Sequence, residues 1–418
     1  MGFLSSRIAT TDPFLLPLPP IGSLVNRLKA LCNLHPQDDT DYYETFPPHS
    51  RGFLLLRLAF YLLMAPFWVA LWHLDDILFP TYKQEDLSGS VFLVGGFRTG
   101  STSLHRAMSL DDERFVSPRF LELAMPFITL HKFIDFLEWI DGKLNTEIIL
   151  RIEKRLQGII GEECMARHPM SFYEAEEDDV LLAAWHFAGW YIGTMFPDAK
   201  AWKVSGEIGN FPENEQKKVF KFYERSLQKV LYRRGGGRKL LSKSHLIEFM
   251  PILEKNLPSA HFISTVRHPK DTFVSWYALS QAASEVMGRW KLPVGTATKA
   301  HYVFWQSFAN AEMNFFLNDG EKKKENTTKT IVTFNTYIKN QEETVKRCYE
   351  SMGLKMSKEF EKALDEDAER HKNYKANRGY DNPTLEDLGT SERELSKKLA
   401  TRSEEHTSEL QSPCNLVC

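Results

Sequence analysis

Apolar runs and helical stretches alternate through the middle of this 418-residue chain. Runs of β-branched, leucine and aromatic residues predict strands at Val91–Val94, Lys239–Ser242, Phe262–Val266 and Thr330–Phe334. Helical spacing of apolar residues predicts helices between and after them, at Leu104–Leu110, Leu246–Lys255, Thr272–Leu279 and Gln341–Met352. Strands that alternate with helices in this way favour an α/β fold, in which helices flank a parallel sheet.

Composition adds two exclusions to this picture. The formal net charge is −3, with 43% hydrophobic and 26% charged residues. The chain therefore has enough apolar residues for a large core, and we expect no nucleic-acid partner because a strongly basic domain is lacking. No CxxC pair, HExxH or EF-hand pattern occurs, so the sequence predicts no metal site.

The most informative segment follows the first strand and reads Gly95-Gly-Phe-Arg-Thr-Gly-Ser-Thr102. Gly95 and Gly96 predict a tight reversal with positive φ, which would turn the following backbone amides toward an anion. A helix that begins near Ser101 would direct the positive end of its dipole at the same anion. The segment therefore predicts a cradle for a phosphate-type group.

This cradle differs from the P-loop of nucleotide hydrolases in its cation. Gly95 and Gly100 keep the glycine spacing of G-x-x-x-x-G-K-[ST], but Ser101 stands where that motif has lysine. The cation lies inside the loop instead, as Arg98. A metal-bridged triphosphate is therefore disfavoured, and a single phosphate-type group bound without metal is favoured.

A second segment, Ala260–Trp276, has the same strand–turn–helix order. Arg267 ends the predicted strand, Pro269 opens the helix, and Ser275 follows about two helical turns later. Because open α/β sheets bind ligands beyond the carboxyl ends of their strands, Arg267 and Ser275 would form a second phosphate clamp at the same edge.

Together these segments resemble the sulfotransferases that use 3′-phosphoadenylyl sulfate (PAPS). Gly95–Thr102 is similar to their 5′-phosphosulfate loop, and Arg267 with Ser275 eight residues later is similar to their 3′-phosphate clamp. Three further segments resemble the branch of the family that has Leu-His-Arg after the loop, namely Pro118–Leu123, Glu176–Leu182 and Lys243–His245. Tyr380–Gly389 is similar to a late segment of the family.

The resemblance implies that PAPS is the co-substrate and that no metal is needed. Arg98 would then neutralise charge on the leaving oxygen, and the helical region of residues 125–235 would cap the acceptor site. The acceptor would be the hydroxyl or amine of a small molecule or glycan. The implied cofactor-binding residues are Gly96, Phe97, Arg98, Thr99, Gly100, Ser101, Thr102, Arg267 and Ser275.

Transfer to a hydroxyl also needs a group that accepts its proton. The resemblance implies Glu122 as the first candidate, because the matching glutamate of the resembling enzymes follows the first helix on the acceptor side. Its apolar neighbours would raise the pKa of its carboxyl into the useful range. His168 is the second, because imidazole titrates near neutrality. The acidic run 176–179 is typical of a solvated face, although Glu176 and Glu177 would also suit a basic neighbour or an acceptor. Arg233–Lys239 predicts an exposed basic loop.

Two other functions stay open at this point. A P-loop kinase would share the sheet and the cradle but should have a lysine in the loop. A non-catalytic nucleotide-binding scaffold is disfavoured because Arg98, Arg267 and Ser275 are all present.

The apolar segment 53–72 is about 20 residues long, which is enough to cross a bilayer. Basic residues precede it and Asp75 and Asp76 follow it, so the positive-inside rule predicts a type II Golgi protein with a lumenal catalytic domain. Arg57 and Pro66 within the segment are equally compatible with a helix that packs on the domain or lies on a membrane surface. A cytoplasmic or peripheral membrane location is the alternative.

Three regions follow from these patterns: an N-terminal extension at 1–87, a sulfotransferase domain at 88–401, and a tail at 402–418. The tail begins Arg402-Ser-Glu-Glu-His-Thr-Ser-Glu-Leu-Gln, which corresponds to one reading frame of a common sequencing adapter. We hypothesise that the tail is a transcript-assembly artefact and exclude it from the fold.

Overall fold

The computed structural model describes residues 17–31, 48–189, 191–195, 208–209, 211–317, 327–371 and 380–399. Within them lies a five-stranded sheet of order β2-β3-β1-β4-β5, and every pairing is parallel. The strands are β1 Val91–Gly95, β2 Phe115–Val116, β3 Lys239–Ser244, β4 His261–Val266 and β5 Thr328–Thr333. The predicted tail 402–418 lies outside the described residues.

The central strand β1 is buried on both faces, as expected for a strand inside a parallel sheet. Because side chains alternate along a strand, Phe92 and Val94 join the core on one face while Val91 and Leu93 join a second core on the other. Helices therefore cover both faces of the sheet, and the predicted α/β class is confirmed.

The described helices fall into four groups along the chain. The first is α1 Ile21–Leu31 and α2 Pro48–Leu78, and the second is α3 Ser101–Met108, directly after β1. Between β2 and β3 come α4 Phe120–Ala124, α5 Ile128–Leu144, α6 Ile148–Ile160, α7 Glu162–Arg167, α8 Asp179–His186, α9 Tyr191–Met195 and α10 Glu213–Arg234. The remainder are α11 Met250–Asn256, α12 Pro269–Gly288, α13 Val294–Phe316, α14 Phe334–Lys339, α15 Gln341–Ser351, α16 Lys358–His371 and α17 Glu392–Lys398, with short 3₁₀ turns at Pro80–Gln84 and Ile247–Phe249.

The predicted elements agree with these bounds in type, and the differences are at their ends. The fifth strand was predicted to include Phe334, but that residue begins α14, because Thr333 caps the helix by accepting a hydrogen bond from the Thr336 amide. The short strand β2 was not predicted, since two residues give no periodicity. The region 125–235 is mostly helical where it is described, as predicted.

Helix α2 is the one described helix that is long and apolar enough to cross a membrane. It nevertheless packs along the domain, since Leu54, Leu58 and Trp72 are buried in the main core. Near its start Ser50 donates a hydrogen bond to the Arg289 carbonyl at 2.5 Å. Near its end Asp75 accepts hydrogen bonds from the first amides of α5 at 2.7 and 2.8 Å.

These two attachments are separated by about 38 Å along the helix axis, at 1.5 Å per residue. One domain thus holds both ends of α2. These contacts fit the predicted alternative, a helix that lies against the domain, and the membrane span stays a prediction.

Candidate active site

The predicted cradle lies at the carboxyl end of β1, at the centre of the sheet. β3 and β4 flank β1 on its two sides, so this is the point at which the strand order reverses. Helix α3 begins at Ser101 after Gly100, and no described side chain caps its amino end. The first amides of α3 are therefore available to an anion, and the positive end of the helix dipole lies at the same place.

The loop glycines have different roles from those predicted. Positive φ occurs at Arg98 (62°) and Gly100 (96°), not at Gly95 and Gly96. Gly95 and Gly96 are needed for space, because a Cβ would lie 2.5 Å from the Thr265 hydroxyl at the first and 2.6 Å from the Trp305 ring at the second. The chain does reverse in this loop, as predicted, but the residues with left-handed backbone conformation are Arg98 and Gly100.

Arg98 connects the loop to three other segments through its guanidinium. Nε donates to the Ser275 hydroxyl at 2.8 Å, Nη1 donates to the Arg167 carbonyl at 3.0 Å, and Nη2 donates to the Tyr380 hydroxyl at 2.8 Å. All three acceptors are neutral. Among the described residues no carboxylate forms an ion pair with Arg98, so the positive charge of this loop residue has no counter-ion there.

Arg267 and Ser275 reach the same place from β4 and α12. Nη1 of Arg267 donates to the Arg98 carbonyl at 3.2 Å, and its guanidinium stacks over the Phe334 ring at 4.3 Å. Nη2 lies 3.4 Å from the half-exposed carboxylate of Asp271. The two predicted anion-binding segments, about 170 residues apart in sequence, are therefore in direct contact.

Three other loop residues lie at distinct positions. Thr99 is buried, where its hydroxyl donates to the Gly96 carbonyl at 2.6 Å and lies 2.8 Å from the Thr265 hydroxyl. Ser101 is buried and Thr102 is half-buried in the first turn of α3. Thr99 thus fastens the loop to β4, whereas Ser101 and Thr102 lie where a bound anion would meet the helix.

Phe97 shapes the floor of the loop. Its ring lies 3.8 Å from the His245 ring and 4.3 Å from the Trp276 ring, measured between centroids. His245 also donates from Nδ1 to the Gly95 carbonyl. Since Nδ1 carries the proton, Nε2 of the neutral ring is an acceptor, and Lys243 Nζ lies 3.3 Å from it.

Lys243 is the centre of a buried polar cluster beside the loop. Its Nζ donates to Glu177 Oε1, and the other Glu177 oxygen accepts a hydrogen bond from Tyr191 at 2.5 Å. Burial alone would raise the pKa of Glu177, but the charge of Lys243 and the contact with His245 lower it well below its usual range. Burial lowers the pKa of His245 in turn, and Glu177 partly offsets this effect.

Glu176 pairs with the predicted base His168. Nε2 of His168 lies 3.2 Å from Glu176 Oε1, and both side chains are largely buried. Burial would lower the pKa of His168, but the charge of Glu176 and its hydrogen bond raise it overall. Because Arg98 bonds the carbonyl of Arg167, the residue before His168, this pair lies close to the loop cation.

The expected raised pKa of Glu122 is wrong. Burial would raise it, but hydrogen bonds and charge from Arg234, with help from Arg119 and Arg233, lower the pKa below its ordinary value. Oε1 accepts from Arg233 and Arg234 at 2.9 Å each, while Oε2 accepts from Arg234 at 2.7 Å and from the Arg119 amide at 3.0 Å. Its oxygens are occupied by these donors, a geometry that favours a structural role.

The prediction of an exposed basic loop at Arg233–Lys239 is wrong for the two arginines that bind Glu122. Arg233 and Arg234 belong to the last turn of α10, and both side chains are mostly covered by Glu122 and its neighbours. The acidic run 176–179 is likewise buried throughout, not solvated. The sequence marks Lys243 and the acidic run as motifs, but it does not show that they pair. No sequence pattern marks Arg167 as a residue of the site.

One group of described side chains offers ligand-type atoms close enough for a metal ion. His168, Glu176 and Glu177 place such atoms within 4.8 Å of one another. Lys243 already supplies a positive charge to this group through Glu177. The cluster can therefore be neutralised by the protein itself.

Comparisons with known proteins agree with this architecture. A family model described as Sulfotransferase family matches residues 90–358, which is more than half of the chain. The crystal structure of sulfotransferase STF1 from Mycobacterium tuberculosis H37Rv is 16% identical, with 94% of this chain and 99% of that chain covered and a TM-score of 0.60. Sulfotransferase STF9 from Mycobacterium avium is 16% identical, with 96% and 97% covered and a TM-score of 0.63. No curated protein matches the chain significantly in sequence.

Proposed function

Because the chain belongs to the sulfotransferase family, we propose that it transfers the sulfuryl group of PAPS to a hydroxyl or amine of a small-molecule or glycan acceptor. Family and fold support sulfuryl transfer in general. The donor and the acceptor class are part of the proposal. PAPS, when bound, would supply an activated sulfuryl group and depart as adenosine 3′,5′-bisphosphate.

The observation that carries the proposal is the environment of Arg98. A guanidinium with three neutral acceptors and no described carboxylate partner belongs to the loop that leads into the uncapped amino end of α3. A cation and helix amides that converge in this way suit a compact anion with several oxygens. We assign the 5′-phosphosulfate to Arg98 and to the amides and hydroxyls of Gly96–Thr102.

The 3′-phosphate is assigned to Arg267 and Ser275. Arg267 contacts the loop backbone through the Arg98 carbonyl, and Ser275 is bonded to the Arg98 side chain. One bound molecule with two anionic groups could therefore bridge both sites. A nucleoside with phosphate groups at two positions meets this requirement.

We assign the proton acceptor to His168. Its Nε2–H points at Glu176 Oε1, which leaves the lone pair on Nδ1 for the acceptor's proton. The carboxylate of Glu176 would stabilise the imidazolium formed in this step, as in other base–carboxylate pairs. As the acceptor atom bonds to sulfur, the bond from sulfur to the bridging oxygen of PAPS would break and adenosine bisphosphate would leave. This displacement would need positioning and charge stabilisation, and Arg98 would stabilise the charge on the leaving oxygen.

A radiolabelled transfer assay tests the function as a whole. The full chain is incubated with PAPS, a panel of phenols, alcohols, amines and sugars, and a chelator, and bisphosphate release is followed. We expect release that depends on acceptor and persists without metal. A second assay replaces PAPS and the chelator with ATP and Mg²⁺, and phosphate transfer in it would instead identify a kinase. Nucleotide binding without turnover in both assays would identify a scaffold.

The pH dependence of turnover tests His168. A base must be unprotonated, so activity should fall as the pH drops through the raised pKa of His168. In Glu176→Gln the partner charge is lost, which lowers the pKa of His168 and shifts the acidic limb of the kcat profile to lower pH. The measurement is kcat against pH for both proteins with one acceptor.

Glu174→Gln is the matched control for this shift. Glu174 lies two residues earlier, but its carboxylate is exposed and contacts Arg106. Its replacement should leave the acidic limb in place. An acidic limb that does not move in Glu176→Gln would remove His168 from the mechanism without affecting the assignment of Arg98.

A further inference from the structure

Most of the large apolar side chains that are exposed in the described part of the chain lie on α2, α5 and α6. These helices are neighbours, since α5 contacts both α2 and α6. We call their solvent-facing side the α2–α5–α6 surface. Monomeric soluble proteins rarely expose apolar area in one place to this extent, so the concentration indicates an interaction surface.

The outward side of α2 is apolar over its whole length beyond Gly52. Its exposed large side chains include Leu56 at 69%, Phe60 at 61%, Leu63 at 76% and Ile77 at 74%. Arg57 is the sole charged residue between 52 and 72, and Nη1 of its guanidinium donates to the Met287 carbonyl of the domain. Arg57 is itself exposed, but this hydrogen bond holds its guanidinium against the domain.

Helix α6 adds an apolar stripe with a basic border. Ile148, Ile152, Leu156 and Ile159 are exposed at intervals of four, four and three residues, so they share one flank of the helix. Arg151, Lys154 and Arg155 are exposed on the adjoining flank, and the charge of Arg151 also acts on Asp141 of α5. The one acid within α6, Glu153, is buried and accepts hydrogen bonds from the Ser171 hydroxyl and the Phe172 amide.

Helix α5 supplies aromatic residues to the same surface. Phe136 and Trp139 are exposed and stacked at 6.1 Å, and Phe133 is exposed beside them. Lys132 and Lys143 are exposed on the same helix, and so is Asp135, whose carboxylate pairs with Arg233. Aromatic rings next to lysines are typical of the boundary between lipid headgroups and acyl chains.

We propose that the α2–α5–α6 surface binds an anionic lipid bilayer, with α2 lying in the plane of the interface. An apolar face bordered by cations is the pattern of interfacial helices, and the cations complement acidic headgroups. A second copy of the chain fits less well, because two such surfaces would bring their basic borders together. A membrane-spanning α2 fits less well too, because one domain holds both ends of the helix.

Vesicle co-sedimentation of the full chain tests the proposal. The lipids are phosphatidylcholine alone or mixed with phosphatidylserine. We expect binding that is tighter to the mixed vesicles. The variant Arg151→Gln/Lys154→Gln/Arg155→Gln should bind the mixed vesicles on the order of 100-fold more weakly, since each cation near an anionic surface contributes about 1 kcal/mol.

Two further variants separate apolar insertion from charge. Leu56→Gln/Leu63→Gln/Phe67→Gln should lose binding to both kinds of vesicle. Val294→Gln/Ile338→Gln, which alters two exposed apolar residues on α13 and α14 and none on α2, α5 or α6, should bind as the natural chain does. The circular dichroism spectrum of each variant should match that of the natural chain, which shows that the variants are folded.

The proposal is overturned if the full chain does not bind mixed vesicles. It is overturned equally if light scattering without lipid finds a stable dimer that the Leu56, Leu63 and Phe67 replacements dissociate, since a second copy would then cover the surface. Neither result bears on the assignment of sulfuryl transfer to Arg98, Arg267 and His168, since none of these residues belongs to α2, α5 or α6.

Discussion

Replacing Arg98 with alanine is expected to lower kcat by about a thousandfold without unfolding the protein, since loss of one preorganised charge-stabilising group has an effect of this order. The guanidinium is the uncompensated cation of the cradle and would stabilise charge that develops as the sulfuryl group moves. Arg98 has a φ of 62°, a strained value for alanine and arginine alike, so the loop conformation should change little.

Two variants make this result specific. Arg98→Lys keeps the charge but cannot reach Ser275, Arg167 and Tyr380 together, so it should recover part of the lost turnover. Arg106→Ala removes an exposed arginine of α3 that pairs with Glu174, and it should keep kcat within about twofold. Arg98→Ala with a kcat within tenfold of the natural value would exclude Arg98 from charge stabilisation.

The cradle was predictable from sequence because its determinants are local. A strand, a glycine loop and a helix start fit within about a dozen residues, and the same holds for the segment with Arg267 and Ser275. The rule that parallel strands present their carboxyl ends at one edge then predicts that the two segments meet. The contact between Arg98 and Ser275 agrees with that prediction.

The surroundings of the cradle were not predictable in this way. Glu122 was expected in an apolar setting, but its partners Arg233 and Arg234 come from a helix more than a hundred residues later. Glu177 was expected on a solvated face, but it is buried and its charge is neutralised by Lys243 of β3. A sequence pattern shows the charge of a residue and not its partner, so both the burial and the pKa of such groups depend on tertiary contacts.

The apolar segment 53–72 is a further case. Its hydropathy predicted either a membrane span or a packed helix, since both need the same residues. Only the buried positions Leu54, Leu58 and Trp72, together with the attachments of Ser50 and Asp75, show that the helix packs along the domain. The predicted Golgi location stays a prediction.

Lys243→Met is expected to lower the free energy of unfolding by about 3–5 kcal/mol, because it leaves the buried carboxylate of Glu177 without its cation. Glu177 would then either stay charged in the interior or take up a proton, and either state is costly. The measurement is urea unfolding followed by circular dichroism. Lys239→Met is the matched control, since this lysine of the same strand is half-exposed and its pair with Asp86 is worth about 1 kcal/mol or less.

The loss should depend on pH and on Glu177. In the natural chain the depressed pKa of Glu177 stabilises the fold above the unfolded pKa, and this contribution disappears as the pH falls through the folded value. Without Lys243, burial dominates and the pKa of Glu177 rises. The difference in unfolding free energy between the natural chain and Lys243→Met should therefore become smaller as the pH falls from about 8 to about 5. Glu177→Gln/Lys243→Met removes both charges and should regain most of the lost stability, because a neutral amide can still accept from Tyr191. If the double variant is no more stable than Lys243→Met alone, the deficit has a cause other than the uncompensated charge of Glu177.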